Sequence, residues 1–298
     1  MNMRQLLICV CVALTTAISA FAQGKVWSEE QARKWGEENP WYCGVNYIPA
    51  DAINYTAMWD KTSFSPKVIE KEMKLMKSLG MNCARVVMQY AVYEEDPAYF
   101  IRTLDRFLSI CNKYGVKVMP IFFDDCAFGV NTDPTVGKQP EPLEGWYAWA
   151  WSPSPGYSMV VDERTHGKLE KYVKEVMIRF KDDPRIFVWD LYNEPTNTTM
   201  PERSWPLLRK VFTWAREVKP ITSGLWNGNK ELNDFLTANS DIITFHCYAS
   251  KEETGKVMKE HLKACRPTIC TEWMNRVAHS TIPEILPMFK EANVGSMI

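Results

Sequence analysis

Residues 186–192, Ile186-Phe187-Val188-Trp189-Asp190-Leu191-Tyr192, form an apolar run that ends abruptly in Asn193-Glu194-Pro195. A short run with no polar alternation reads as a parallel strand covered on both faces. The polar residues then fall at the C-terminal end of that strand, where α/β barrels place their chemistry. Seven more runs of similar length occur at Trp41–Tyr47, Asn82–Met88, Val116–Phe123, Ile221–Trp226, Ile242–Tyr248, Thr268–Glu272 and Val294–Ile298. Together they make eight expected strands.

Helical periodicity fills the intervals. Ser65-Pro66 supplies a cap and a first turn, and Val68, Ile69, Met73, Met76 and Leu79 follow as an apolar stripe that stops at Gly80. Asp96-Pro97 repeats the device ahead of Phe100, Ile101, Leu104, Phe107, Leu108 and Ile110. Further stripes run through Leu169–Phe180 and Leu207–Trp214, with shorter helices expected at Lys230–Thr237, Glu252–Cys265 and Ile282–Ala292. Eight strands alternating with helices predict an α/β fold of the (β/α)8, or TIM-barrel, type. A doubly wound open sheet is the competitor. It favours a Gly-rich phosphate loop after the first strand, whereas Asn46-Tyr47-Ile48-Pro49 stands there. The sequence ends at Ile298, in or just after the eighth strand, so the expectation is a barrel truncated at that strand and lacking its C-terminal end. The connection from Asp124 to about Val161 is long and carries Trp146, Trp149 and Trp151, which marks it as a functional loop.

At 298 residues, with 46% hydrophobic and 24% charged, the chain can bury a large core. Its formal net charge of -1 argues against a basic field for nucleic acid. Twelve Trp, twelve Tyr and thirteen Phe supply flat rings, most of them assigned to core packing. Met1–Ala22 has the signal-peptide pattern: Arg4, an apolar run from Leu6 to Leu14, then Ala20-Phe21-Ala22 ahead of Gln23. That run is too short to span a bilayer. The expectation is a secreted or periplasmic protein whose single catalytic domain is 23–298, without a membrane span and acting as a monomer. Seven cysteines remain, an odd number, without zinc-type spacing, and most read as small buried hydrophobes.

Two carboxylates end strands three apart: Glu194 after the fourth run and Glu272 after the seventh. Cleavage of a glycosidic bond needs such a pair, one acid for the leaving oxygen and one carboxylate on the opposite face of the sugar. Either glutamate alone reads as a solvated loop residue, and Asn-Glu-Pro alone is a weak motif. Position after an apolar strand, combined with the second glutamate, gives the signal its weight. A metal-dependent hydrolase is disfavoured, because of the four histidines (His166, His246, His261, His279) only His246 is at a strand end. The two-carboxylate mechanism requires neither a metal nor an organic cofactor.

The segment Trp189-Asp190-Leu191-Tyr192-Asn193-Glu194-Pro195 resembles the acid/base signature of clan A retaining glycoside hydrolases, closest to the cellulase-like glycoside hydrolase family 5. Phe245-His246-Cys247-Tyr248 resembles the His-x-Tyr element after the sixth strand of these enzymes, and Thr271-Glu272-Trp273 resembles the nucleophile element after the seventh. Arg85 matches the arginine placed beside the nucleophile. The resemblance implies that Glu194 is the general acid/base and Glu272 the nucleophile. It implies that Asn193 binds the sugar 2-OH and that Arg85 and Tyr248 orient Glu272. His246 reads as a sugar-binding or proton-network residue, with a structural histidine as the alternative. Asn46, Trp226 and Trp273 are further sugar-binding candidates at strand ends, as are Tyr47, Trp149, Trp151, Asp124 and Asp125 with less specificity. The family's Trp just after the eighth strand has no counterpart here. The implied activity is retaining hydrolysis of a plant-type β-glycan or oligosaccharide (xylan, mannan or β-glucan), whether endo- or exo-acting. A noncatalytic carbohydrate-binding protein on the same scaffold is the alternative, since fold alone does not exclude it.

Overall fold

In a computed structural model that describes residues 25–129, 131–218 and 220–298, the apolar runs become eight strands. They are β1 (Cys43–Asn46), β2 (Cys83–Val87), β3 (Lys117–Asp124), β4 (Trp189–Asn193), β5 (Ile221–Thr222), β6 (Ile243–His246), β7 (Thr268–Glu272) and β8 (Gly295–Met297). All pairings are parallel, in the order β5-β4-β3-β2-β1-β8-β7-β6. The ring closes between β5 and β6 without a regular ladder. A parallel bridge joins Leu225 to Phe245, and Thr222 Oγ1 bonds the Ile242 carbonyl at 2.8 Å and Thr244 Oγ1 at 2.9 Å. The expected strand Ile221–Trp226 is only two residues long, because its ladder with β4 stops at the Asp190–Thr222 pair. The chain is a (β/α)8 barrel.

The expected helices are present: α3 (Pro66–Ser78), α5 (Pro97–Lys113), α7 (His166–Phe180), α8 (Trp205–Ala215), α9 (Lys230–Asn239), α10 (Lys251–Leu262) and α11 (Ile282–Glu291). Their stripes mostly turn inward, although Leu79, read as the last member of the α3 stripe, is 63% exposed. In α5 the apolar face of Phe100, Leu104, Phe107, Leu108 and Cys111 is buried, and Asp96 caps the first turn by accepting from Tyr99 N–H at 2.9 Å. Four helices escaped the sequence reading: α1 (Glu29–Glu38), α2 (Tyr55–Trp59), α4 (Tyr90–Glu95) and α6 (Tyr157–Val161). Three of them have only five or six residues, too few for a periodic pattern. The fourth, α1, is largely exposed; of its ten residues only Ala32 is fully buried.

Two apolar clusters hold the fold. The larger lies between strands and helices. The smaller fills the N-terminal end of the barrel with Tyr42, Cys83, Met119, Phe187, Val188, Ile242, Ile269 and Met297, and Trp27 and Trp35 pack on it. Tyr42 stacks on Phe187 with ring centroids 4.0 Å apart. That end is plugged, and the opposite end stays polar and open. Among the seven described cysteines none forms a disulfide; Cys83, Cys111, Cys126 and Cys270 are buried, whereas Cys265 is exposed. No described helix is long and apolar enough to cross a membrane. The expected signal segment, residues 1–22, lies outside the described residues.

A buried ion pair ties the N-terminal segment to the barrel. Asp241, fully buried, accepts from Trp27 N–H at 2.9 Å, Ile221 N–H at 3.0 Å and Arg216 Nη1 at 3.2 Å. Removing one partner of a buried pair leaves the other charge unpaired. Asp241→Ala should therefore cost about 3–5 kcal/mol in chemical denaturation; a loss below about 1 kcal/mol, the level of an exposed pair, would contradict this role.

Candidate active site

The strand register assembles the open end of the barrel. Asn46 on β1 pairs with Arg85 on β2, Asp124 on β3 with Asn193 on β4, and His246 on β6 with Glu272 on β7. A cleft of about 470 Å³ opens there, and its walls include Asn46, Arg85, Asn193, Glu194, Tyr248 and Glu272.

Arg85 is the centre of the arrangement and is 1% exposed. Its Nη1 donates to Glu272 Oε1 and to Asn46 Oδ1, each at 2.8 Å. Its Nη2 donates to Asn193 Oδ1 at 2.6 Å, and its Nε to Asp190 Oδ2 at 2.9 Å. Burying a guanidinium is costly, so the two carboxylates are required to offset it. Desolvation works against the Arg85 charge, but Asp190 and Glu272 outweigh it and push its pKa up.

The two glutamates have different surroundings. Burial alone would raise the pKa of Glu272. The charges of His246 and Arg85, with hydrogen bonds from Tyr248 and Arg85, overcome it and hold the carboxyl below its ordinary value. Tyr248 O–H donates to Glu272 Oε2 at 2.5 Å. Glu194 touches no permanent cation. His246 Nδ1 is 2.7 Å from its Oε1, while Asn197 Nδ2 and Cys126 Sγ, at 3.3 Å, meet its Oε2. The imidazole also brings Nε2 to 3.6 Å from Glu272 Oε1, so His246 stands between the two carboxyl groups. Gly224 makes room for it: a Cβ there would lie 3.1 Å from Nε2.

Glu194 has φ 41°, in the left-handed region, as do Thr196 and Thr198. A non-glycine residue held this way costs of order 1–3 kcal/mol. Neighbouring groups secure the turn. Asp125, fully buried, accepts from Thr196 N–H at 2.8 Å, from Tyr192 O–H at 2.7 Å and from Ser204 O–H. Trp226 Nε1 donates to the Pro195 carbonyl at 3.0 Å. Burial raises Asp125 to about 7 and Asp124 to about 6.

The sequence-stated candidates divide accordingly. Glu194, Glu272, Arg85, His246, Tyr248, Asn193 and Asn46 converge. Asn46 spends its amide on Arg85 and on the Thr271 carbonyl at 2.7 Å, so it braces the arginine. Asn193 is similarly engaged, donating to Asp124 Oδ1 at 2.8 Å. Trp273 corrects the expectation of a sugar-stacking ring. It borders the cleft but is fully buried, packs edge-on against Phe289 and donates Nε1–H to Ser296 Oγ at 2.9 Å. Tyr47 is buried too, bonded to Glu72 and stacked on Phe107. Trp226 braces the turn after Glu194 and is not part of the cleft wall. Trp151 is part of it, with Nε1 3.3 Å from Asp124 Oδ2.

Sequence reading missed Asp190, Cys126, Asn197, Tyr55 and Phe128. Asp190 carried a signal: a charge inside an apolar strand must find a buried partner. Cys126, Asn197, Tyr55 and Phe128 belong to loops and a short helix, whose paths no local pattern gives.

Glu194, His246 and Glu272 offer one ligand atom each within 4.8 Å of one another. A cation there would sit beside the Arg85 guanidinium and displace it from Glu272, so the donor set fits a metal poorly.

No protein-family model and no curated protein matches the chain. Solved structures do. The chain is similar to an exo-β-1,4-mannosidase from Opitutaceae bacterium strain TAV5 at 19% identity, over 86% of this chain and 51% of that one, with a TM-score of 0.59. It thus spans about half the length of that enzyme. It is also similar to a hyperthermostable endo-1,4-β-D-mannanase from Thermotoga petrophila RKU-1 (14% identity, 87% of each chain, TM-score 0.57). A third likeness is to an endo-1,4-β-mannanase from Rhizomucor miehei (13% identity, 86% of this chain and 85% of that one, TM-score 0.59).

The Arg85–Glu272 pair links stability to pH. The folded pKa of Glu272 lies below its ordinary 4.5, so the ionised form stabilises the fold above that value. The advantage is lost as pH falls from about 4.5 through the lower folded pKa. Relative to a Glu272→Gln variant, the wild type should lose stability over that acid window in denaturant titrations. A stability difference that does not change with pH would contradict the assignment. At this level of identity the likeness shows one thing, the shared (β/α)8 fold.

Proposed function

We propose that the chain is a retaining β-glycoside hydrolase of the cellulase-like family 5 type, with Glu272 as nucleophile and Glu194 as general acid/base. One observation carries the reading: two carboxylates end β4 and β7 with oxygens within 4.8 Å, and only one of them is paired with an arginine. Retaining enzymes hold their carboxyl groups about 5–5.5 Å apart, whereas inverting enzymes leave room for a water at about 6.5–9.5 Å. The close spacing favours retention.

The chemistry follows from the partners. Glu272, ionised by Arg85 and Tyr248, attacks the anomeric carbon and forms a glycosyl ester. Glu194 gives its proton to the departing oxygen. It then takes a proton from the water that attacks the ester, and Glu272 is released. His246, bonded to Glu194 and close to Glu272, holds both carboxyl groups in one frame. No cofactor enters these steps.

We rank β-1,4-mannosides first among substrates, ahead of β-glucan and xylan, a reading supported by the names of the similar structures. A panel of these polymers and their oligosaccharides reads the specificity. A ladder of products makes the enzyme endo-acting, and single sugars make it exo-acting. Binding without turnover across the panel would move the chain to the noncatalytic sugar-binding reading.

Two outcomes are expected. The first-formed product keeps the β configuration by proton NMR, and inversion would sink the mechanism. Glu272→Ala lowers kcat by about a thousandfold or more with the fold intact, because the covalent step loses its nucleophile. Near-normal turnover would remove Glu272 from that role.

A further inference from the structure

The mechanism above leaves one buried nucleophilic group against the acid/base carboxyl unused. Cys126 follows the end of β3 and is 5% exposed. Its Sγ is 3.3 Å from Glu194 Oε2, a normal S–H···O separation. The same sulfur lies 3.5 Å from Asn193 Nδ2 and 3.4 Å from Asn197 Nδ2, both of which donate to it. The Cys126 backbone N–H donates to Asp124 Oδ1 at 2.9 Å, which holds the main chain that carries the thiol.

We propose that Cys126 is a positioning residue for Glu194: it donates its thiol proton to Oε2 while its sulfur accepts from the amides of Asn193 and Asn197. The inference rests on the glycosidase reading of Glu194. A thiolate at this point would face three carboxylates. Burial first, then Asp124, Glu194 and Glu272, push the thiol pKa well above its usual value, so the group is a donor. It is not an exchange-reactive sulfur of the kind found in electropositive surroundings.

The consequence is a carboxyl held at both oxygens. His246 holds Oε1; Cys126 and Asn197 hold Oε2. The left-handed turn at Glu194 fixes the backbone but leaves the side-chain torsions to these contacts. An acid that must deliver a proton to one oxygen of a sugar gains from a fixed carboxyl plane, because a small misplacement of a reacting group is costly in rate. Asn193 joins the same thiol to Arg85, so the acid/base and nucleophile halves of the site share a continuous chain of contacts.

The test uses Cys126→Ala and Cys126→Ser in the full chain. Cys126→Ala should lower kcat about tenfold while KM stays within about twofold, because the lost contact serves the transition state rather than substrate binding. Cys126→Ser restores a donor and should recover most of the loss. Should Cys126→Ala fail to fold, Cys126→Val fills the space without a donor and takes its place. An alanine variant with unchanged kcat, or a serine variant as slow as the alanine one, would overturn the proposal in favour of plain packing. Infrared difference spectroscopy supplies a readout that needs no turnover. The Cys126 S–H stretch, isolated by subtracting the Cys126→Ala spectrum, should move to higher frequency in Glu194→Ala. A stretch that stays in place would also overturn the proposal. If the wild type cleaves nothing, the infrared result still reports the thiol–carboxyl contact, and the glycosidase reading fails separately.

Discussion

Everything at the open end of the barrel depends on burying the Arg85 guanidinium. A buried arginine is stable only when its charge and its donors are met, and here the partners of Arg85 on β2 come from three other strands: Asn46 on β1, Asp190 and Asn193 on β4, and Glu272 on β7. The strands bring these residues together only if the barrel is closed in register. Fold and site therefore constrain each other. The same contacts that make the arginine tolerable keep Glu272 ionised and turn its carboxyl toward the cleft. Asp190, fully buried, carries the structural share of the charge balance, so the arginine does not depend on Glu272 alone.

The second constraint is the turn that carries Glu194. Its backbone is left-handed, and the groups that hold it come from distant parts of the chain: Asp125 at the end of β3, Ser204 ahead of α8 and Trp226 after β5. Such strain persists only where surrounding structure over-determines it. The long connection after β3 belongs to the same scheme. Ser154 pairs with Asp124 backbone to backbone, Asn54 Nδ2 reaches the Ala150 carbonyl at 2.9 Å, and Trp151 packs edge-on against Tyr55 at 4.8 Å. Gln89 Nε2 donates to the Pro153 carbonyl at 3.1 Å, so the loop is stapled to the segments after β1 and β2 and forms a wall that presents Trp151 and Phe128 to the cleft.

Much of this was legible in the sequence, for identifiable reasons. Buried strands leave continuous apolar runs, and helices leave stripes, so the barrel could be read from runs such as Asn82–Met88 and stripes such as Phe100–Ile110. Glu194 and Glu272 were legible because each ends such a run. What failed were inferences about where a side chain points. Trp273 follows β7, yet its ring turns inward to Ser296 and Phe289, because a neighbouring strand and helix, not local sequence, decide that rotamer. Cys126 and Asn197 were invisible for the same reason: a loop residue meets the site only through the path of its loop. The β5 strand was read too long because an apolar run does not reveal that the β4–β5 ladder stops after two residues.

In the proposed reaction the Arg85-paired carboxylate is the group that bonds to sugar. The most direct measurement is mass spectrometry of the protein after incubation with 2-deoxy-2-fluoro-β-mannosyl and β-glucosyl fluorides, whose glycosyl esters turn over slowly. The expected result is a mass gain of one fluorosugar, mapped by peptide digestion to Glu272 and absent from Glu272→Ala. A label on Glu194, or a covalent adduct that survives the Glu272→Ala substitution, would contradict it.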